Sequence, residues 1–149
     1  LAEDLESALI DAGETVAMVD GINVLVVEDS RTDMLFTIEM LRKTNPTLSI
    51  QQARSLEEGL QICREMPIDL VLLDLSLPDS SGVATVGRFR EQFGSVPLVV
   101  LTGLSQDEAG EECLEAGADT FVSKSGLSAH RMERAIFVTL SRCDLTGNT

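Results

Sequence analysis

Glu28-Asp29, Asp74, Thr102 and Lys124 each close a short apolar run at a point where a buried strand would not need them. The runs are Ile22-Asn23-Val24-Leu25-Val26-Val27, Ile68-Asp69-Leu70-Val71-Leu72-Leu73, Val96-Pro97-Leu98-Val99-Val100-Leu101 and Thr120-Phe121-Val122-Ser123. Three carboxylates, a hydroxyl and an ammonium make a set able to hold a divalent cation and accept a phosphoryl group. A carboxylate such as Asp74 can attack phosphorus and form an acyl phosphate. Alone, Asp74 would read as an ordinary strand-end aspartate. Glu28-Asp29 at the end of a different run change that reading, because adjacent acids repel each other and Asp74 unless a cation lies between them.

Mg²⁺ takes one or two carboxylates, keeps several waters and accepts phosphate oxygens. Asp29 and Asp74 are the candidate direct ligands, with Glu28 acting through a water and the backbone carbonyl of Ser76 completing the protein's share. The plainer alternative for Glu28-Asp29 is capping and favourable dipole placement at the start of a helix. Thr102 can donate a hydrogen bond to a phosphoryl oxygen, and Gly103 beside it leaves room. Lys124 supplies a point charge suited to phosphate. Each piece is weak alone; the conjunction is specific.

These residues converge only if the runs are parallel strands of one sheet, whose carboxyl ends form the edge where open α/β sheets bind ligands. From Gly21 onward the chain alternates strand and helix five times. Strands are expected at about 22–28, 47–53, 69–74, 97–102 and 119–123, and helices at about 31–43, 83–92, 106–116 and 127–142, with one more opening after Ser55. Ser30 suits the cap of the first helix, and Pro46 ends it by disfavouring helical geometry at Asn45. Ser55 with Glu58 resembles a capping box opening the second. Gly94 and Gly117 close the third and fourth. Runs such as 24–27 and 70–73 are apolar without alternation, as strands buried on both faces should be. The class is therefore α/β, doubly wound, with helices on both faces of a parallel sheet.

A chain of 149 residues with 44% hydrophobic and 24% charged residues fits one soluble globular domain. No apolar run approaches a membrane span, and the start does not resemble a signal peptide. Leu1 in place of an initiator Met is compatible with a processed or excised piece of something longer. The net charge of −14 disfavours direct nucleic-acid binding, which relies on Lys and Arg neutralising phosphates. Residues 1–20 carry acids (Glu3, Asp4, Glu6, Asp11, Glu14, Asp20) and no Lys or Arg. They form a separate N-terminal segment, either a short amphipathic helix or a frayed tail. Residues 21–143 are expected to form the domain and 144–149 a tail, with no output domain expected among residues 1–149. Cys63, Cys113 and Cys143 match no metal or redox spacing, which suits a cytoplasmic protein. His130, next to Arg131, reads as a surface residue. No glycine-rich turn follows the first strand, which argues against a dinucleotide fold or P-loop.

With Glu28-Asp29, Asp74, Thr102 and Lys124 at these strand ends, residues 22–142 resemble a two-component response-regulator receiver domain of the chemotaxis-receiver kind. Pro78 four residues after Asp74, Gly82 before the third helix and Leu114-Glu115-Ala116-Gly117-Ala118-Asp119 before the last strand add to the resemblance. It implies a flavodoxin-like (βα)5 three-layer sandwich with a five-stranded parallel sheet in the order 2-1-3-4-5. It also implies Mg²⁺-dependent transfer of a phosphoryl group to Asp74 from a histidine kinase, a phosphotransfer protein or a small phosphodonor. Thr102 would then be drawn inward and Phe121, three residues before Lys124, would follow. The altered face would be the fourth helix, fifth strand and fifth helix, which in the family commonly forms dimers or meets partners, including downstream output domains.

Three features depart from the family pattern. Ser125 follows Lys124 where the family usually has Pro, which leaves the conformation of that loop open. Phe121 has no hydroxyl, so its part in a switch would rest on packing. The fifth helix is unusually apolar in Ala135-Ile136-Phe137-Val138-Thr139-Leu140, which suits a dimer contact, a continuing downstream helix or plain core packing. Ser76 and Leu104 occupy positions that tune phosphoryl lifetime in the family.

The expected function is thus a phosphoacceptor signalling module, not an enzyme acting on a separate substrate. The alternative is a pseudo-receiver, an interaction module independent of phosphorylation. A phosphatase-like hydrolase fits poorly, because Ser76 stands where such enzymes usually place a general-acid Asp.

Overall fold

A computed structural model of the protein describes residues 21–103 and 109–147. The N-terminal segment 1–20, Leu104 and the expected start of the fourth helix lie outside the described residues. Strands β1 (Asn23–Val27), β2 (Ser49–Ala53), β3 (Leu70–Asp74), β4 (Leu98–Thr102) and β5 (Thr120–Ser123) form one sheet in the order β2-β1-β3-β4-β5. All four pairings are parallel. Helices α1 (Arg31–Thr44), α2 (Leu56–Glu65), α3 (Ala84–Gln92), α4 (Gly110–Ala116) and α5 (Ala129–Gly147) follow the strands in turn. This is the doubly wound (βα)5 architecture expected from the strand–helix rhythm.

Alternation along each strand divides the core in two. Val24, Val26, Leu70, Leu72, Val99 and Leu101 face one side and pack with Met34, Met40 and Leu41 of α1 and Met132, Ala135 and Ile136 of α5. Leu25, Val27, Val71, Leu73, Leu98 and Val100 face the other and pack with Leu56 and Leu60 of α2, Val86 and Phe89 of α3 and Cys113 of α4. Strands β3 and β4 are buried along their whole length, which is why their sequences show no polar alternation. A Leu-to-Ala change at such a site typically costs about 2–5 kcal/mol. The edge strand β2 is more polar and more exposed.

Local chemistry sets the helix ends. Ser30 accepts a hydrogen bond from the Asp33 amide at the start of α1, and Asn45, held extended before Pro46, ends that helix. The Ser55 side chain accepts from the Glu58 amide (3.1 Å), while the Glu58 carboxylate accepts from the Arg54 amide (2.7 Å), one residue further back than in the usual box. Helix α5 starts at Ala129 rather than 127, because Ser128 caps it through the Arg131 amide (3.2 Å). No Gly or Pro interrupts α5 after Arg142, so it continues to Gly147 through positions expected as tail. Among the described residues no helix is long and apolar enough to cross a membrane.

Candidate functional site

The strand register assembles the site. Val27 of β1 lies beside Leu73 of β3, so the next residues, Glu28 and Asp74, are neighbours at the carboxyl edge. Asp74 pairs with Leu101, which places Thr102 one step beyond it on β4, and Thr102 pairs with Ser123, one residue before Lys124. The Glu28 amide donates to Ala53 O (2.9 Å) and the Lys124 amide to Thr102 O (2.8 Å), extending the ladders past the strand ends. Glu28, Asp74 and Thr102 are each only 1% exposed. Asp29 is exposed at the rim beside them, as is Ser76 in the loop after β3.

Lys124 reaches into this acidic pocket. Its Nζ lies 2.9 Å from Glu28 Oε1, 2.8 Å from Asp33 Oδ2 and 2.9 Å from Asp74 Oδ1. The first two contacts are well-formed hydrogen bonds. The third is an ion pair outside good hydrogen-bond geometry, so Asp74 Oδ1 is a buried oxygen that receives charge but no aligned donor. Asp74 Oδ2 accepts from the Ser76 amide (3.0 Å), which orients the carboxylate. Burial raises the Glu28 carboxyl above its ordinary pKa, against the lowering effect of its bonds from Lys124 and the Ser30 amide, and nearby Asp74 adds to the rise. Burial alone would lower Lys124, but Asp33, Glu28 and Asp74 outweigh it and hold the ammonium firmly protonated.

Further contacts hold the loops around the pocket. After β3, Ser76–Leu77 and Ser80–Ser81 form a small antiparallel hairpin. Gly82, with φ of 72°, closes it, and its amide donates to Leu75 O (2.8 Å). At the hairpin tip, Asp79 accepts from the Leu56 and Glu57 amides (2.9 Å each), fastening the loop to the first turn of α2. On the far side, Arg90 of α3 donates to Gly117 O, Phe93 O and Val96 O and pairs with Asp119, bracing the approach to β5.

Phe121 lies apart from the acidic pocket. It is on β5, 37% exposed, with its ring over Gly110 of α4, where an added methyl group would overlap it. Thr102 Oγ1 reaches Val122 O at 3.5 Å, on the side of its strand facing β5. A shallow cavity of about 210 Å³ beside Phe121 is lined by Val122, Arg131, Arg134 and Val138. The peptide bonds are all trans among the described residues, including the one before Ser125, whose amide bonds to Ser123 Oγ (3.1 Å). His130 is exposed, as expected; Cys113 is buried and Cys63 is half-buried.

The structure therefore brings Glu28, Asp74 and Lys124 into contact, sets Thr102 on the adjoining strand end, and leaves Asp29 and Ser76 at the rim. Asp33 was not singled out from the sequence as a site residue. Its only local signal was its place three residues after Ser30, which reads as part of a helix start. Among the described residues no three His, Cys, Asp or Glu side chains form a ready-made cation cage. The donors are nonetheless all oxygen, and the buried Asp74 Oδ1 lacks an aligned donor. A small hard cation that keeps most of its own waters fits such a set.

Residues 24–136 match the family described as response regulator receiver domain. The KDP operon transcriptional regulatory protein KdpE of Escherichia coli is 34% identical over 102 residues, covering 68% of this chain and 44% of that protein. The cell cycle transcriptional regulator CtrA of Caulobacter vibrioides is 30% identical over 103 residues, covering 69% of this chain and 44% of that protein. The chain thus spans less than half the length of these two curated relatives. A response regulator receiver domain protein from Clostridium thermocellum superposes with a TM-score of 0.73 at 24% identity, covering 84% of this chain and 98% of that one. A CheY-like receiver domain protein from Methanospirillum hungatei gives 0.72 at 22% identity over the same shares.

Proposed function

The chain belongs to the response regulator receiver domain family of two-component systems, and from that premise we propose that it accepts a phosphoryl group on Asp74 and signals through its surface. The observation that carries this reading is the state of Asp74: buried at the end of the central strand, with one oxygen lacking an aligned donor and Lys124 2.9 Å away. A carboxylate so placed is oriented by the Ser76 amide, and its other oxygen faces the Lys124 ammonium. In the proposed step an Asp74 oxygen forms a bond to phosphorus as the bond from phosphorus to the donor imidazole nitrogen breaks. The bonding pair leaves with the imidazole, which then takes up a proton.

Asp29, Asp74 and the Ser76 carbonyl would hold Mg²⁺, with Glu28 acting through a water. When bound, Mg²⁺ supplies charge neutralisation for the phosphoryl oxygens. Lys124 would turn its ammonium to a phosphoryl oxygen, and the Thr102 hydroxyl would donate to another. A dianionic group adds charge and acceptors at one point and biases a two-state equilibrium through contacts that differ between the states. Here those contacts are Thr102 and, through packing alone, Phe121. The responsive face is α4, β5 and α5, where Phe121 and Phe137 are exposed. A histidine kinase or phosphotransfer protein is the proposed donor, and a second copy or an output domain the proposed receiver of the signal. The proposed setting is the cytoplasm, with neither nucleic acid nor membrane as a direct partner.

Beryllofluoride, a mimic of the phosphoryl group, tests the assembled site. With Mg²⁺ it is expected to shift amide resonances at Asp74, Thr102, Lys124 and Phe121. Silence at all four would favour the rival reading, an interaction module that carries no phosphate.

A further inference from the structure

Lys124 Nζ is shared by three carboxylates, but these are not equivalent. The Glu28 and Asp74 side chains are 1% exposed and form the pocket floor, whereas the Asp33 side chain is 43% exposed and stands at the rim. A cation entering the pocket would compete with the ammonium for the two floor carboxylates, because like charges a few ångströms apart repel. The lysine then needs somewhere to go. Asp33 offers a carboxylate at 2.8 Å, and the bond from its own amide to Ser30 Oγ (3.2 Å) fixes the helical turn that carries it.

We propose that Asp33 is a positioning residue for the Asp74 site: it holds the Lys124 ammonium at the rim while Glu28 and Asp74 turn to a divalent cation. In the metal-free protein Asp33 is one of three partners. Once the floor carboxylates are neutralised by a cation it becomes the principal partner of Lys124. The pair is therefore stronger in the loaded state than in the empty one, and a contact stronger in one state shifts the equilibrium toward it. Asp33 thus favours cation binding without being a ligand. The inference rests on the reading of Asp74 as a Mg²⁺-dependent phosphoacceptor.

The test is a cycle of four proteins: wild type, Asp33→Asn, Lys124→Met and the double variant, with Lys124→Gln as a second background. Mg²⁺ affinity is measured by titration calorimetry, with far-UV circular dichroism as the check on folding. Asp33→Asn is expected to weaken Mg²⁺ binding roughly three- to tenfold in wild type and less than about twofold once Lys124 is gone. Asp33→Glu is expected to recover most of the loss. Equal weakening in both backgrounds would make Asp33 merely a nearby negative charge, and no weakening in wild type would deny it any part; either result overturns the inference. Thermal stability is not the readout, since an acid in the first turn of α1 is favourable in any case. If wild type itself bound no Mg²⁺, the phosphoacceptor reading would fail, an outcome distinct from intact binding that ignores Asp33.

Discussion

Replacing Asp79 with Ala should loosen the loop that follows β3. The first turn of any helix presents amides with no partner inside the helix. In α2 the Glu58 amide is capped by Ser55, and Asp79, from 22 or 23 residues further along the chain, takes the Leu56 and Glu57 amides at 2.9 Å each. Asp79→Ala returns the exposed Glu57 amide to water, leaves the part-buried Leu56 amide without its acceptor, and removes a negative charge from a helix N-terminus. Loss of a cap of this kind costs about 1–2 kcal/mol. Asp79→Asn keeps one acceptor and should lose about half as much.

The dependence on pH has a definite sign. Desolvation is the largest single influence and pushes the Asp79 carboxyl up, but the Glu57, Leu56 and Asp79 amides and then Arg88 together outweigh it, so its folded pKa lies below the ordinary value. A lowered carboxylate stabilises the fold above its unfolded pKa, and that contribution is lost as pH falls through the folded value. The gap between wild type and Asp79→Asn should therefore narrow below about pH 4. The chain has no Trp or Tyr, so urea unfolding is followed by far-UV circular dichroism. An Asp79→Ala variant within about 0.3 kcal/mol of wild type at pH 7 would refute the reasoning. So would a wild type-to-Asn gap of the same size at pH 3 as at pH 7.

Gly117 has φ of 122°, and a Cβ there would lie 2.8 Å from Arg90 Cγ, so Gly117→Ala should cost about 1–3 kcal/mol in urea unfolding. Arg90→Lys should destabilise by about 2–3 kcal/mol, because one ammonium cannot reach the carbonyls of Gly117, Phe93 and Val96 together with Asp119; full stability by thermal melting would contradict this. Burial raises the Glu28 carboxyl, so the folded state holds that proton more tightly than the unfolded chain, and stability falls as pH rises from the unfolded value through the folded one. Metal-free Glu28→Gln should lack that fall, which paired denaturation curves from pH 4 to pH 8 would reveal.

The strands were legible because those buried on both faces must be apolar throughout, as β3 and β4 are. The helix starts at Ser30 and Ser55 were legible because capping is local chemistry within three residues. Glu28, Asp74, Thr102 and Lys124 stood out because a polar residue ending an apolar run is conspicuous. What escaped was long-range. Asp33 meets Lys124 across 91 residues, and Asp79 meets Leu56 across 23, so no periodicity records either contact. The guanidinium of Arg90 is bound mainly by carbonyls, which every residue carries and no sequence distinguishes. Helix α5 outran its expected end because no breaker follows Arg142 until Gly147, while the amphipathic pattern fades earlier.

The most direct measurement is intact mass spectrometry after incubation with acetyl phosphate and Mg²⁺, with Asp74→Asn and an EDTA-treated sample run alongside. Transfer to Asp74 should add one phosphoryl group to wild type and none to either control. No gain in wild type, or the same gain in Asp74→Asn, would contradict it.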